Sequence, residues 1–186
     1  MLELYAHPFS SYCQKVLIAL YENATPFTFR MLDADDAKVM AELEALWPLK
    51  RFPVLVDDGR TVLESSIIIE HLGIHHPGPV RLIPQDAATA LDVRMMDRFF
   101  DIYINTPQQK IVFDVIRAAE SRDRQGVAEA RTMLDTAYRW LDNAMAGREW
   151  AAGIGFSLAD CAAAPALFYA DWTHPIDKAF ANVHAY

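Results

Sequence analysis

Cysteine is scarce. Cys13 and Cys161 are the only two among 186 residues, and they lie far apart. That excludes a disulfide framework and any cysteine-rich zinc module, and a reducing, cytoplasmic setting fits best. Positive charge is also in deficit: 17 Lys and Arg face 25 Asp and Glu, for a formal net charge of −8. A surface of that sign repels a phosphate backbone, so no nucleic-acid partner is expected. No apolar run approaches the roughly 18 residues of a transmembrane helix, so no membrane partner is expected either. The stretch from Met1 to Cys13 lacks a basic region followed by an apolar one, and therefore lacks the pattern of a secretory signal. The six histidines show no metal-ligand spacing, and no metal is expected; His75-His76 reads as a solvated helix end. There is no internal repeat and no low-complexity segment. Apolar residues, by contrast, are plentiful at 53%, against 23% charged, which supplies a sizeable core for one generous domain or two small ones.

The first part of the chain alternates between two periods. Leu2 and Leu4 flank polar Glu3 as in a strand, and Cys13, Val16, Leu17 and Leu20 then fall on one helical face. Phe27, Phe29 and Met31 alternate again. Asp33 to Leu46 is helix-like and stops before Trp47-Pro48. Val54-Leu55-Val56, the turn Asp57-Asp58-Gly59-Arg60 and Thr61-Val62-Leu63 read as a hairpin. Ser65 opens an apolar helix through Leu72. The order is βαβαββα, with one parallel pair from the strand–helix alternation and one antiparallel pair from the hairpin. Residues 1–76 form this domain. Residues 77–86, with Pro77, Pro79, Pro84 and Gly78, read as a linker. Residues 87–186 carry no strand pattern and read as an all-α domain. A helix is expected over Ala87–Tyr103, broken or restarted at Pro107 and continuing over Ile111–Ala119. Leu134, Tyr138, Leu141 and Met145 mark another helix, and Gly147–Gly155 a loop. Ser157 precedes Asp160 by three residues just ahead of an apolar run, the spacing of a capping box.

Three places could carry chemistry. The turn His7-Pro8-Phe9-Ser10-Ser11-Tyr12-Cys13 joins a strand to a helix, where backbone N–H groups and the helix dipole favour an anion. Either serine could equally be a plain N-cap. In Lys50-Arg51-Phe52-Pro53-Val54-Leu55 a proline opens a strand, which suits an edge, a special geometry or an ordinary loop. Glu64-Ser65 stands at another helix N-terminus, where Ser65 could cap or could present its hydroxyl and N–H to a carboxylate. Cys13 reads as a small buried hydrophobe, or, if exposed one turn into its helix, as a thiol of lowered pKa.

In this order and at these separations, Leu4-Tyr5 with the serine turn and Lys15-Val16, Phe52-Pro53-Val54-Leu55, Leu63-Glu64-Ser65-Ser66 and Ser157-Leu158-Ala159-Asp160 resemble the soluble glutathione transferase family over nearly the whole chain. The resemblance implies a thioredoxin-like N-terminal domain followed by an all-α substrate-binding domain, and a cis bond before Pro53. It implies that glutathione is the co-substrate and that no metal takes part. The backbone of Phe52 would pair with its cysteinyl part, Glu64 and Ser65 would hold its γ-glutamyl end, and Lys50 or Arg51 its glycyl carboxylate. Ser10 corresponds to the catalytic hydroxyl of the serine-type classes (theta and zeta). Ser11 falls where the beta class carries a cysteine, and Tyr5 at the strand position of the tyrosine-type classes. The implied reaction is attack of a glutathione thiolate on a small hydrophobic electrophile, with the stretch Arg94 to Tyr103 on the substrate side. Family members are commonly cytoplasmic homodimers.

Alternative chemistries consistent with the same residues are a glutathione-dependent isomerase, a thiol–disulfide or lyase reaction using Cys13, and a non-catalytic binding module. The chain departs from the family pattern at Trp47, where asparagine is common, at bulky Phe52, and at Gly153-Ile154-Gly155-Phe156, which lacks the frequent aspartate. Family helical domains usually continue beyond the 180–183 region. A further C-terminal segment, completing a pocket wall, is therefore expected past Tyr186.

Overall fold

The computed structural model describes all 186 residues, Met1–Tyr186. They fall into two units, Met1–Pro84 and Gln85–Tyr186. The first is built from β1 (Leu2–Ala6), α1 (Ser11–Glu22), β2 (Thr28–Met31), α2 (Ala37–Leu46), β3 (Val54–Asp57), β4 (Arg60–Leu63) and α3 (Ser65–His75). The strands lie in the order β2-β1-β3-β4. β1 pairs with β2 in parallel and with β3 antiparallel, and β3 pairs antiparallel with β4. This is the thioredoxin-like arrangement of a mixed sheet with helices. The hairpin between β3 and β4 turns on Asp58 and Gly59, both at positive φ (46° and 86°), as a two-residue hairpin of matching twist requires.

The apolar stripe of α1 is buried, with Cys13, Val16 and Leu20 all at 0% exposure. A cluster of Tyr5, Leu32, Val39, Leu43 and Val54 brings together α2, β1 and β3. Asp36 caps α2 by accepting from the Lys38 and Val39 amides, and the helix ends at Trp47, ahead of a proline that disfavours helical backbone before it. Beyond α3 the chain is clasped by Asn23, whose Oδ1 accepts the Val80 N–H at 2.8 Å and whose Nδ2 donates to the Val80 carbonyl at 3.1 Å. Gly78 passes so close to Asn23 that a Cβ there would lie 2.3 Å from its Oδ1.

The second unit is helical: α4 (Ala87–Phe99), a π-helical segment (Phe100–Asn105), α5 (Thr106–Ile116), a 3-10 turn (Ala119–Ser121), α6 (Arg124–Ala144), α7 (Leu158–Thr173) and α8 (Ala181–Ala185). The chain does not break at Pro107; the regular α-helix restarts there. Pro107 sits in the first turn of α5, where its missing N–H costs no bond within that helix. The disturbance is taken up just upstream. The Thr106 N–H bonds to the Asp101 carbonyl five residues back, and the Thr106 hydroxyl bonds to the same carbonyl at 3.0 Å. α5 also ends earlier than the expected Ala119, because Arg117 is extended.

The capping box at Ser157 is formed, and it reaches beyond its own helix. Asp160 is 4% exposed. Its Oδ2 accepts the Ser157 N–H and hydroxyl, each at 2.9 Å. Its Oδ1 accepts the Ala151 N–H and the Tyr186 hydroxyl, each at 2.8 Å. One carboxylate thus holds the start of α7, the preceding loop and the last residue of the unit. Asp160→Ala strands all of these buried donors and is expected to destabilise the protein by about 3 kcal/mol or more. Ser157→Ala, which loses only the hydroxyl with its cap bond from the Ala159 N–H and its donation to Asp160, costs about 1–2 kcal/mol. Urea unfolding midpoints compare the two; equal shifts would show that Asp160 is only a helix cap.

Candidate functional site

Strand register brings the singled-out segments of the first unit to one end of its sheet. Tyr5 lies opposite Val54, and Val54 opposite Leu63. The exit of β1, the entry of β3 and the exit of β4 are therefore neighbours, with strands about 4.8 Å apart. From these points spring the Ser10 turn, the Phe52-Pro53 loop and the Glu64-Ser65 junction.

Ser10 is the N-cap of α1, with extended backbone, and its Oγ accepts the Cys13 N–H at 3.4 Å. The turn before it is braced by Ser10 N–H to the His7 carbonyl (3.1 Å), Phe9 N–H to His7 Nδ1 (3.2 Å) and Gln14 Nε2 to the Pro8 carbonyl (3.0 Å). Capping uses Ser10 as an acceptor and leaves its hydroxyl proton able to donate elsewhere. The cap and the chemical role are therefore not exclusive, and the half-buried Ser10 can serve in both. Ser11 is the first helical residue and is buried.

Of the two readings of Cys13, small buried hydrophobe or exposed thiol of lowered pKa, its surroundings fit the first. It is fully buried, its Sγ accepts the His7 N–H at 3.4 Å, and burial pushes its thiol up to about 11 despite the opposing hydrogen bonds at Ser10 and His7. A thiol so placed is neutral and out of reach at neutral pH. Tyr5, the candidate at the strand position, is also enclosed. It is buried, and its hydroxyl donates to Glu42 at 3.2 Å. Burial first, and the Glu42 carboxylate second, raise its pKa. Arg30 pairs with Glu42 and lies over the Tyr5 ring, 5.5 Å from its centroid. Tyr5 is thus engaged on the α2 side of the sheet.

The peptide bond between Phe52 and Pro53 is cis, with Pro53 buried and the Phe52 side chain partly exposed near His7. Lys50 and Arg51 are both exposed. Lys50 Nζ meets Glu44 at 2.8 Å, a half-exposed pair of the kind that contributes little and exchanges readily. The reading of Ser65 as a cap is corrected: the N-cap of α3 is Glu64, which makes no side-chain cap bond, and Ser65 is the buried first helical residue. Glu64 holds φ at 69°, a left-handed conformation unfavourable to a residue with a Cβ. That conformation turns the chain out of β4 directly into α3.

Sequence reasoning missed two constellations. Lys15 is 1% exposed, and its Nζ donates to Ser66 Oγ at 2.9 Å, which ties α1 to α3 behind the two helix N-termini. No spacing signals this contact, because its partners are distant in sequence. Asp57, His71 and His76 also converge, with Nε2 of each histidine 2.8 Å from Asp57 Oδ2. His76 is therefore not simply a solvated helix end. The bonds from His76 and then His71 hold the Asp57 carboxyl below its usual range. The separation His71-x4-His76 does fall within the H-x3–5-H spacing of zinc ligands, a signal that the histidine count passed over, whereas Asp57-x13-His71 belongs to no common ligand pattern and only the fold adds Asp57 to the pair.

Comparison with known proteins gives a consistent answer. Residues 4–80 match the family described as glutathione S-transferase, N-terminal domain, and residues 124–186 match glutathione S-transferase, C-terminal domain. A glutathione transferase of Zea mays is 27% identical over 151 residues, which span 81% of this chain and 63% of the maize protein. The match thus spans less than two thirds of that relative's length. A glutathione S-transferase of Methylobacillus flagellatus, solved with glutathione bound, superposes with a TM-score of 0.86 over 100% of this chain and 92% of that one, at 24% identity. One from Methylobacterium radiotolerans, solved with glutathione sulfonate, gives 0.80 over 98% of this chain and 87% of that one, at 27% identity.

Burial of Cys13 has a measurable consequence. The folded protein keeps this thiol protonated up to about 11, while the unfolded chain ionises it from about 9.0. Its contribution to stability is complete below the unfolded value and is lost as pH rises through the folded one, a swing of roughly 2–3 kcal/mol. Cys13→Ala is expected to flatten the alkaline limb of the stability–pH profile over that window. In the native protein at pH 8, iodoacetamide should leave Cys13 unmodified by mass spectrometry; rapid alkylation there would restore it as a nucleophile.

Proposed function

The chain belongs to the glutathione S-transferase family, and from that membership we propose that it is a glutathione transferase in which Ser10 stabilises the glutathione thiolate for attack on a small hydrophobic electrophile. The observation that carries this reading is the state of Ser10. Its oxygen takes the Cys13 N–H at the head of α1, and its own proton remains to be given to a sulfur. Ser11 and Cys13 are buried and Tyr5 is engaged with Glu42; Ser10 and Tyr12 are the partly exposed hydroxyls of the turn, and Ser10 is the one at the N-cap of α1.

The task is energetically modest. A thiol of pKa ~8.5 must ionise near neutral pH, and two units of depression require about 2.7 kcal/mol. A hydrogen bond to a charged acceptor supplies about 1.5–3 kcal/mol. The positive end of a helix adds roughly 0.3–1 kcal/mol. The thiol proton leaves to solvent, the Ser10 O–H donates to the sulfur, and a sulfur lone pair forms the bond to the electrophilic carbon while that carbon's bond to its leaving group breaks and the group departs to solvent as an anion, halide in the case of an aryl halide. Phe52 offers its backbone to the cysteinyl part beside the cis-proline. The N-terminus of α3 at Glu64-Ser65 takes the γ-glutamyl carboxylate. Lys50 or Arg51 meets the glycyl carboxylate once Lys50 lets go of Glu44. In a chain of net charge −8, these local donors are what makes an anionic co-substrate welcome. No helix is long and apolar enough to cross a membrane. We place the protein in the cytoplasm as a homodimer, which sedimentation at micromolar concentration examines directly.

Two substitutions separate chemistry from capping. Ser10→Gly removes the hydroxyl and costs the helix only a few tenths of a kcal/mol, whereas Ser10→Ala also costs about 1 kcal/mol of cap stability. Both should raise the pKa of bound glutathione, read by thiolate ultraviolet absorbance, and lower kcat/KM with an activated aryl halide by roughly 10–150-fold, the equivalent of the lost charged hydrogen bond. An unchanged thiol pKa and rate in Ser10→Gly would remove Ser10 from the role.

A further inference from the structure

At the opposite end of the sheet from Ser10 lies a second constellation. β3 runs from Val54 to Asp57, about 10 Å further along the sheet. α3 runs from Ser65 to His75 and is capped by His76, about 15 Å away along the helix. There Asp57, His71 and His76 bring one carboxylate oxygen and two imidazole nitrogens within 4.8 Å of one another. Both Nε2 atoms face the same Asp57 oxygen, each at 2.8 Å. The His71 and Asp57 side chains are 6% and 12% exposed, while His76 is 33% exposed. The cluster is therefore closed on its inner side and reachable from solvent past His76. His75 packs against the His71 ring, with centroids 4.4 Å apart, and further limits that ring.

We propose that Asp57, His71 and His76 form a binding site for a borderline divalent transition-metal ion such as Zn2+. Two neutral imidazoles and one carboxylate are the donor set that Zn2+, Co2+, Ni2+ and Cu2+ prefer, whereas Mg2+ and Ca2+ require oxygen ligands in greater number. Tetrahedral Zn2+ bonds of about 2.0–2.1 Å set ligand atoms roughly 3.3 Å apart. The two nitrogen–oxygen edges open by about half an ångström to admit the ion. His76 can supply that movement, because it lies just outside the regular helix. On binding, the Nε2 proton that each ring donates to Asp57 is given up to solvent, the neutral ring takes its one proton on Nδ1 instead, and the freed Nε2 lone pair exchanges the hydrogen bond to Asp57 for a metal bond. The fourth position falls to water on the exposed side. The ion fastens the end of β3 to the end of α3, two elements whose other ends carry the Phe52-Pro53 and Glu64-Ser65 segments.

The test uses the full chain after chelator treatment and dialysis. Titration with Co2+ is expected to give a saturable visible d–d absorption at one equivalent, with Zn2+ displacing it and Mg2+ or Ca2+ leaving it unchanged. His76→Ala, a partly exposed position, should weaken Zn2+ binding in calorimetry by more than about 100-fold, beyond the loss typical of a mere outer-shell partner. It should also abolish the rise in Tm that Zn2+ gives the wild type. His184→Ala should bind as the wild type does. His71→Gln supplies a second ligand loss, with near-ultraviolet circular dichroism checking its fold. Absence of a one-equivalent site for Co2+ and Zn2+ at millimolar metal, or binding unaffected by His76→Ala, would overturn the proposal and leave the cluster as a hydrogen-bonded clasp.

Discussion

The register Tyr5–Val54–Leu63 across three strands is the constraint on which the N-terminal unit depends. A one-residue slip in any of these pairings would turn the inward side chains of that strand outward. It would also part the three segments that leave the sheet at this edge. The register is held by complementary burial: Leu4, Val54 and Leu55 are at 0% exposure, and Val62 is at 6%. The same pairing fixes the other edge, where Leu2 faces Asp57 and Asp57 faces Arg60. Both the candidate active site and the histidine–aspartate cluster are therefore consequences of one set of backbone hydrogen bonds, read at its two ends.

Within that frame, several side chains have two jobs. Ser10 closes a helix with its oxygen and retains a proton for chemistry. Asp160 is a capping-box acid and also the acceptor for a distant loop amide and the Tyr186 hydroxyl. Burial of Asp160 draws the Tyr186 phenol with it, and desolvation then raises the pKa of that phenol strongly. Such shared use makes small domains economical. It also makes single substitutions hard to interpret unless a variant removes one job and leaves the other.

Much of the fold is legible in the sequence because its signals are local. The Cys13–Leu20 stripe, the Asp58-Gly59 turn, the Ser157–Asp160 box and the alternation of Phe27 to Met31 each lie within a few residues, and each corresponds to an element or cap that is present. The serine turn and Glu64-Ser65 stand out for the same reason. What escapes the sequence is nonlocal. Tyr5 looks like a strand hydroxyl until Glu42, 37 residues on, claims it. Cys13 reads as either core or nucleophile until its burial is known. Asp57 and His71 are 14 residues apart, across a hairpin and most of a helix, so no one-dimensional spacing announces them. The cap of α3 falls one position before Ser65, because the positive φ of Glu64 makes Ser65 the first helical residue.

The π-helical turn at Phe100–Asn105 bears on how this chain compares with any other. Such a turn packs an additional residue into the span that an α-helix would cover with one fewer. Every side chain from Thr106 onward is therefore rotated about the axis relative to an uninterrupted helix, by roughly the 100° that one residue represents. Against a relative whose helix has no such turn, a gap-free alignment matches the wrong faces across α5, pairing a buried position such as Ile111 with a solvent position. The faces agree again only when one residue is skipped inside the helix. Positions in Thr106–Ile116 therefore correspond to those of such a relative by their place on the helix face, not by their count along the chain.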